Sequence, residues 1–242
     1  MSHKIIAVIP ARYASTRFPK KMLASLCGKP LLQWVWEGVQ KSQYIKDILV
    51  ATDHIEIQKL VEGFGCHAVM TDPGLPSGTD RVAAAIKNSE ADLVINVQGD
   101  EPQVDGRCLD DLIDDMGDCP IGTLARAMHP TEDCTNPNLV KVVTDSQKRA
   151  LYFSRAPIPY PRDGEDKSSV HYYQHLGIYC YQRVTLQKLV KLSPSPLEQT
   201  EKLEQLRALE NGIAIRVVPT SLKTIGVDTP EDLQHLEKTL GK

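Results

Sequence analysis

Residues 4–10, KIIAVIP, form a short unbroken apolar run, the pattern of a strand covered on both faces rather than one half exposed to water. Residues 31–42 follow, with Leu31, Leu32, Val35, Trp36 and Val39 near helical spacing. A strand at 48–51, an amphipathic helix over 55–64, a helix beginning over 81–87 and a buried strand at 92–97 continue the alternation. Strand and helix in regular turn predict an α/β fold, a mainly parallel sheet flanked by helices with right-handed crossovers. The second half changes character. Residues 139–143 and 175–181 alternate as antiparallel strands do, residues 214–218 read as a late strand, and Pro230 opens a last helix with Thr229 as its cap and Asp232 in its first turn. A proline-rich connection, 156–161, leads to the charged stretch 162–167, which is expected to be an exposed, mobile loop.

A chain of 242 residues is long enough for a self-sufficient core, and no repeat or linker divides it, so a single domain over 1–242 is expected. A net charge of −3 leaves no basic footprint and argues against nucleic acid as a partner. The six cysteines, at 27, 66, 108, 119, 134 and 180, form neither a CxxC pair nor a Cys/His cluster, and reduced thiols are expected. The start MSHKIIAVIPARYAS is too short in its apolar part for a secretion signal, and no run approaches a membrane span, so a cytoplasmic protein with no membrane partner is expected.

The segment after the first strand, PARYASTRFPKK, is the most informative. Open α/β sheets bind ligands at the carboxyl ends of their strands. Arg12, Ser15, Thr16, Arg17, Lys20 and Lys21 bring four fixed positive charges and two hydroxyls to that place, without a glycine, so the segment is neither a P-loop nor a dinucleotide fingerprint. Arginine forks and lysine point charges suit a triphosphate, and cations fixed beforehand stabilise charge growing on a pyrophosphate leaving group. A solvated basic loop is the plainer alternative; the position after a buried strand favours phosphate.

Two carboxylates invite attention. Asp100 closes the third strand in QGDEP, where Gly99 is expected to let the backbone approach a ligand. Asp228 precedes the last helix in GVDTP. Such a pair, with phosphate oxygens and water, can hold Mg²⁺. Equally, Asp100 can be a turn residue and Asp228 can face the first-turn amides of the helix.

Together ARYASTRFPKK, SGTDR (77–81), NVQGDEP, NPNLVKVV (136–143), LYFSRAPIP, HLGIY, LEQLR and GVDTPED, spread in order from about residue 4 to residue 235, resemble the 3-deoxy-manno-octulosonate cytidylyltransferase family. The resemblance implies a nucleotide-diphospho-sugar-transferase-like fold and the reaction of CTP with Kdo (3-deoxy-manno-octulosonate) to CMP-Kdo and pyrophosphate, dependent on Mg²⁺ and serving lipopolysaccharide biosynthesis. It implies a homodimer, with nucleotide binding in about 1–130 plus the C-terminal segment, and with sugar binding and dimerisation in about 135–220. It places the nucleotide against Pro10, Ala11, Arg12, Ser15, Arg17, Lys21, Ser77, Gly78, Arg81 and Gln98, with Lys21 and Arg17 acting on the phosphates. It makes Asp100 and Asp228 the metal ligands, catalytic with Lys21 and Arg17, and assigns the sugar to Arg155, His175, Tyr179, Glu204 and Gln205.

Departures from the family pattern are Lys20 for glycine, Met22 for proline and Asp80 for glutamate. If that glycine serves a positive φ, the loop here is expected to bend differently, and Lys20 competes with Lys21 for the functional role. Asp80 shortens the reach of the carboxylate toward base or sugar. The rival readings are CMP transfer to another acidic sugar, 8-amino-Kdo or sialic acid, and a non-catalytic nucleotide-binding relative. LYFSRAPIP and HLGIY favour Kdo-like sugars over sialic acid; survival of both aspartates and the loop cations opposes the non-catalytic reading.

Overall fold

The computed structural model describes residues 3–15, 17–162 and 170–240. Thr16 and residues 163–167 of the charged loop lie outside the described residues. The chain divides into two compact units, Met1–Asp110 with Lys223–Lys242, and Asp111–Leu222.

The first unit begins with β1 (Ile5–Ala11), a 3₁₀ turn at Lys21–Leu23, and a small hairpin of β2 (Ser25–Leu26) and β3 (Lys29–Pro30). Then come α1 (Leu31–Gln40), β4 (Asp47–Thr52), α2 (Ile55–Gly63), β5 (His67–Met70), α3 (Gly78–Ala85), β6 (Leu93–Asn96) and α4 (Gly106–Met116), within which the boundary between units falls. Its strands run in the order β6-β1-β4-β5, every neighbouring pair parallel. Covering on both faces explains the apolar run of β1, where Ala7, Val8, Ile9 and Ala11 are fully buried. The valine and the isoleucine each contribute about 2 kcal/mol relative to leaving them in water, the alanine methyls less than half of that. Parallel pairing gathers the carboxyl ends of β1, β4 and β6 on one edge, where ligands are expected.

Three local features depart from the reading of the sequence. β5 is only HAVM, too short to show a period. α3 starts at Gly78, three residues before 81, because Ser77 caps it: the Ser77 Oγ accepts Asp80 N–H at 3.1 Å and donates to the Asp80 carboxylate at 2.6 Å. The short reach of Asp80 thus serves its own helix. α4 begins at Gly106, whose absent Cβ would stand 2.1 Å from the Ser42 nitrogen, so only glycine fits the approach to the end of α1. Asp110 then locks the contact, accepting Ser42 Oγ at 2.5 Å and Gln43 N–H at 3.0 Å.

The second unit contains β7 (Ile121–Ala127), β8 (Lys141–Thr144), β9 (Ala150–Ser154), β10 (Tyr173–Gln182), α5 (Arg183–Leu189), α6 (Pro196–Glu201), α7 (Gln205–Glu210) and β11 (Ile215–Pro219). β10 lies antiparallel to β7 and β8, β8 antiparallel to β9, and β11 parallel to β7. The antiparallel character expected of 139–143 and 175–181 is realised in β8 and β10. The last helix, α8 (Pro230–Leu240), belongs to the first unit, where its Leu236 packs with Leu26, Leu31 and Val227. Its cap is the expected one: Thr229 Oγ1 accepts Asp232 N–H at 3.2 Å, and Asp232 accepts Thr229 N–H at 2.8 Å. All six cysteines are free thiols. Among the described residues no helix is long and apolar enough to cross a membrane.

Candidate active site

At the carboxyl edge of the first unit's sheet lies a cavity of about 330 Å³, of the size that holds a small ligand. Of the nucleotide residues expected from sequence, Pro10, Arg12, Ser15, Arg17, Lys21, Ser77, Gly78, Arg81 and Gln98 line it, as do both aspartates. Ala11 does not; it is fully buried at the end of β1. Met22, Leu75 and Pro76 also line it. The last two sit in a loop just ahead of Ser77, where single apolar residues carry no periodic signal.

The centre of the cavity is a charge cluster. Lys21 is 7% exposed and its ammonium reaches Asp100 Oδ2 at 2.6 Å and Asp228 Oδ1 at 3.2 Å. Arg17 meets the other oxygen of Asp228 at 3.1 Å. Three segments distant in sequence are therefore joined: the loop after β1, the end of β6 and the turn before α8. Backbone pairing supports the join, since Val227 N–H donates to the Asp100 carbonyl at 3.0 Å. The structural reading of Asp228 does not hold. Asp232 and Thr229 cap α8, Asp228 lends only its N–H to Asp232 at 3.0 Å, and its carboxylate turns to the cations. Just behind this pair, burial foremost and then the neighbouring Asp100 push the Glu101 carboxyl up to about 8.

Lys20 and Lys21 are separated by geometry. Lys20 itself adopts the left-handed conformation, φ 57° and ψ 27°, so its side chain does not prevent a positive-φ turn at this position. Its side chain leads away from the aspartates, to Glu56 at 3.6 Å and over the ring of Tyr13. Gly99 needs a different reading as well. A Cβ there would lie 2.9 Å from both Leu32 and Met22 and 3.1 Å from the Pro10 carbonyl, so the protein's own packing requires a glycine.

Arg81 is 3% exposed, with its guanidinium on Asp53 at 3.0 Å and Thr71 at 2.5 Å. Gln98 donates to Asn96 at 2.9 Å and stands beside Gly78, where a Cβ would come 3.2 Å from the amide oxygen. Among the described residues no group of three or more His, Cys, Asp or Glu could enclose a metal. Two carboxylates converging on one small cation still fit a Mg²⁺ that takes its remaining ligands from phosphate and water.

The expected sugar residues lie in the second unit. His175, on β10, is 8% exposed and hydrogen-bonds Thr123 at 2.9 Å, with Phe153 and Tyr179 against its ring. Burial, then the charge of Glu204, raises the Tyr179 pKa. Glu204 sits at the N-cap of α7 and Gln205 is its first residue, the buried Gln205 Nε2 having no hydrogen-bond partner among the described residues. Arg155 spends its guanidinium on the carbonyls of Glu201, Pro137 and Lys202, at 2.7, 2.8 and 3.3 Å, clamping the end of α6.

Burial alone depresses His175 to about 3, against about 6.5 in an unfolded chain. Below about 6.5 the unfolded chain therefore binds a proton that the folded chain refuses, and stability falls as pH drops toward 3. Denaturant melts at pH 7 and pH 5 should show the native chain losing about 2 kcal/mol more than His175→Gln. Equal losses would mean that the imidazole is not held neutral.

The chain matches the cytidylyltransferase family model over residues 6–218 and belongs to that family. Its place within it is with the 3-deoxy-manno-octulosonate cytidylyltransferases. It is 48% identical to the 3-deoxy-manno-octulosonate cytidylyltransferase of Thermodesulfovibrio yellowstonii, with 97% of each chain covered. To the protein of that name from Bdellovibrio bacteriovorus it is 46% identical, with 98% of each covered. A solved structure of CMP:2-keto-3-deoxy-manno-octonic acid synthetase complexed with CTP superposes with a TM-score of 0.92 at 40% identity, over 98% of both chains. A 4-diphosphocytidyl-2C-methyl-D-erythritol synthase, 15% identical with a TM-score of 0.64 over 98% of this chain and 99% of that one, shares the fold alone. The α/β class expected from the sequence, nucleotide-diphospho-sugar-transferase-like, is the fold of these neighbours.

Proposed function

We propose that the chain transfers CMP from CTP to Kdo and releases pyrophosphate. The carrying observation is the Lys21 ammonium held between Asp100 and Asp228 in a cavity that Arg12, Ser15 and Arg17 also line. Likeness to proteins named for this reaction supports it.

In this reading Arg12, Ser15 and Arg17 bind the triphosphate, and the Ser77–Gly78 turn with Arg81 and Gln98 faces the cytidine. When the anomeric oxygen bonds to the α-phosphorus, its proton passes to solvent, the P–O bond to pyrophosphate breaks and charge grows on the leaving oxygens. Lys21, once turned from the aspartates to the phosphates, meets that charge. Asp100 and Asp228 would hold Mg²⁺, which when bound offsets the negative charge of the phosphates. Lys21 then exchanges its aspartate contacts for phosphate ones, a short move for a flexible stem.

The sugar falls to Arg155, His175, Tyr179, Glu204 and Gln205. The unpartnered Gln205 Nε2 supports a hydroxylated ligand there, because a buried amide without a partner is costly unless a ligand satisfies it. A homodimer formed through the second unit belongs to the same reading. So does a cytoplasmic location, supported by the free thiols.

The test is pyrophosphate release from CTP and Mg²⁺ with Kdo, 8-amino-Kdo, sialic acid or no sugar in parallel. Release that requires Kdo is expected. Faster release with another sugar would change the acceptor, and none with any sugar would overturn the activity.

A further inference from the structure

Asp53 has no part in the chemistry above, yet its carboxylate joins two walls of the cavity. It follows β4 directly, at the strand edge that carries the site. One oxygen accepts the Tyr13 N–H, in the loop after β1, at 2.8 Å. The other accepts the Arg81 guanidinium at 3.0 Å, and the two side chains are only 4% and 10% exposed, arginine first. Thr71 takes the second arm of the guanidinium at 2.5 Å and is itself fixed, donating to the Thr52 carbonyl at 3.0 Å.

We infer that Asp53 is a positioning residue for CTP, holding the backbone of the triphosphate loop and the arginine beside the Ser77 turn in one register. The inference rests on the reading of this cavity as the nucleotide site. A carboxylate suits the task because its two oxygens accept independently and its charge balances a buried guanidinium. The loop has few other ties near Tyr13: the ring stacks on His54 with centroids 3.6 Å apart, and the hydroxyl meets Glu56 at 3.0 Å. These hold the side chain to α2, whereas Asp53 holds the backbone from which Arg12 and Ser15 project.

Asp53→Asn keeps an oxygen for Tyr13 but turns an NH₂ group toward Arg81. Thr71→Val loosens Arg81 alone and leaves the charge pair intact. Calorimetric binding of CTP and of inorganic pyrophosphate, with thermal melts and sugar KM, separates the roles. CTP affinity should fall on the order of 10- to 100-fold in Asp53→Asn. Thr71→Val should shift it in the same direction by less, while pyrophosphate affinity changes less than CTP affinity in both variants and sugar KM stays put. Native CTP affinity in folded Asp53→Asn, with only a lowered Tm, would overturn the proposal and leave Asp53 a stabilising residue. If that variant does not fold, native CTP affinity in Thr71→Val overturns it instead. Binding is read without turnover, so a native chain that binds CTP but releases no pyrophosphate with any sugar defeats the activity alone. One that does not bind CTP defeats both.

Discussion

Asp100→Asn should yield a folded protein whose pyrophosphate release is slower by about 10³-fold, with Tm within about 3 °C of the native value. The substitution keeps the shape of the side chain and removes the charge that meets Lys21 at 2.6 Å. Asp100 shares Lys21 with Asp228, and Arg17 also neutralises the latter, so loss of one carboxylate leaves no cation stranded. Its nearness to Asp228, which shares the Lys21 ammonium with it, is repulsive, and this offsets part of the lost attraction. In the reaction nothing compensates, because a cation held by one carboxylate in place of two is bound more weakly and placed less well. Activity against Mg²⁺ concentration and a thermal melt check both halves. Native turnover would remove Asp100 from the metal site, and collapse of the fold would make it structural.

Lys21→Met should cost about 10²–10³ in kcat, while Lys20→Gly leaves turnover near native and raises Tm by about 2 °C. Adjacent lysines differ because of where the backbone sends them. Lys21 opens the 3₁₀ turn and is buried against both aspartates, and methionine keeps its stem but not its charge. Lys20 sits at φ 57°, a conformation that glycine adopts without cost, and its exposed contact with Glu56 contributes little. Turnover lost equally in both variants would mean that the loop needs total charge, not a particular ammonium.

Much of the first unit was legible because its strands are covered on both faces. Such strands leave unbroken apolar runs, as at 4–10 and 92–97, and the intervening helices show their period. β5 and β7 escaped notice, the first through shortness. α4 escaped because its acidic face dominates the composition; its Leu109 and Leu112 are nonetheless fully buried. The site was legible as motifs, but its wiring was not. Nothing in ATDH singles out Asp53, whose partners lie 40 residues before and 28 after it.

The sequence by itself determined the alternation of strand and helix, the cations after β1, the capping residues of α8 and the family. These depend on neighbours within a few residues, or on motifs read in order along the chain. Only the tertiary structure decided that Lys21 rather than Lys20 faces the aspartates, that Asp228 is released from capping by Asp232, and that Gly99 serves packing. It also showed Lys20 taking the left-handed turn expected of a glycine. Lys21 and Gly99 depend on partners far apart in the chain, Asp100 and Asp228 for the first and Met22, Leu32 and Pro10 for the second, and such contacts are settled only when the elements pack. Asp228 is freed by a neighbour four residues on, but where its carboxylate turns depends on the distant cations.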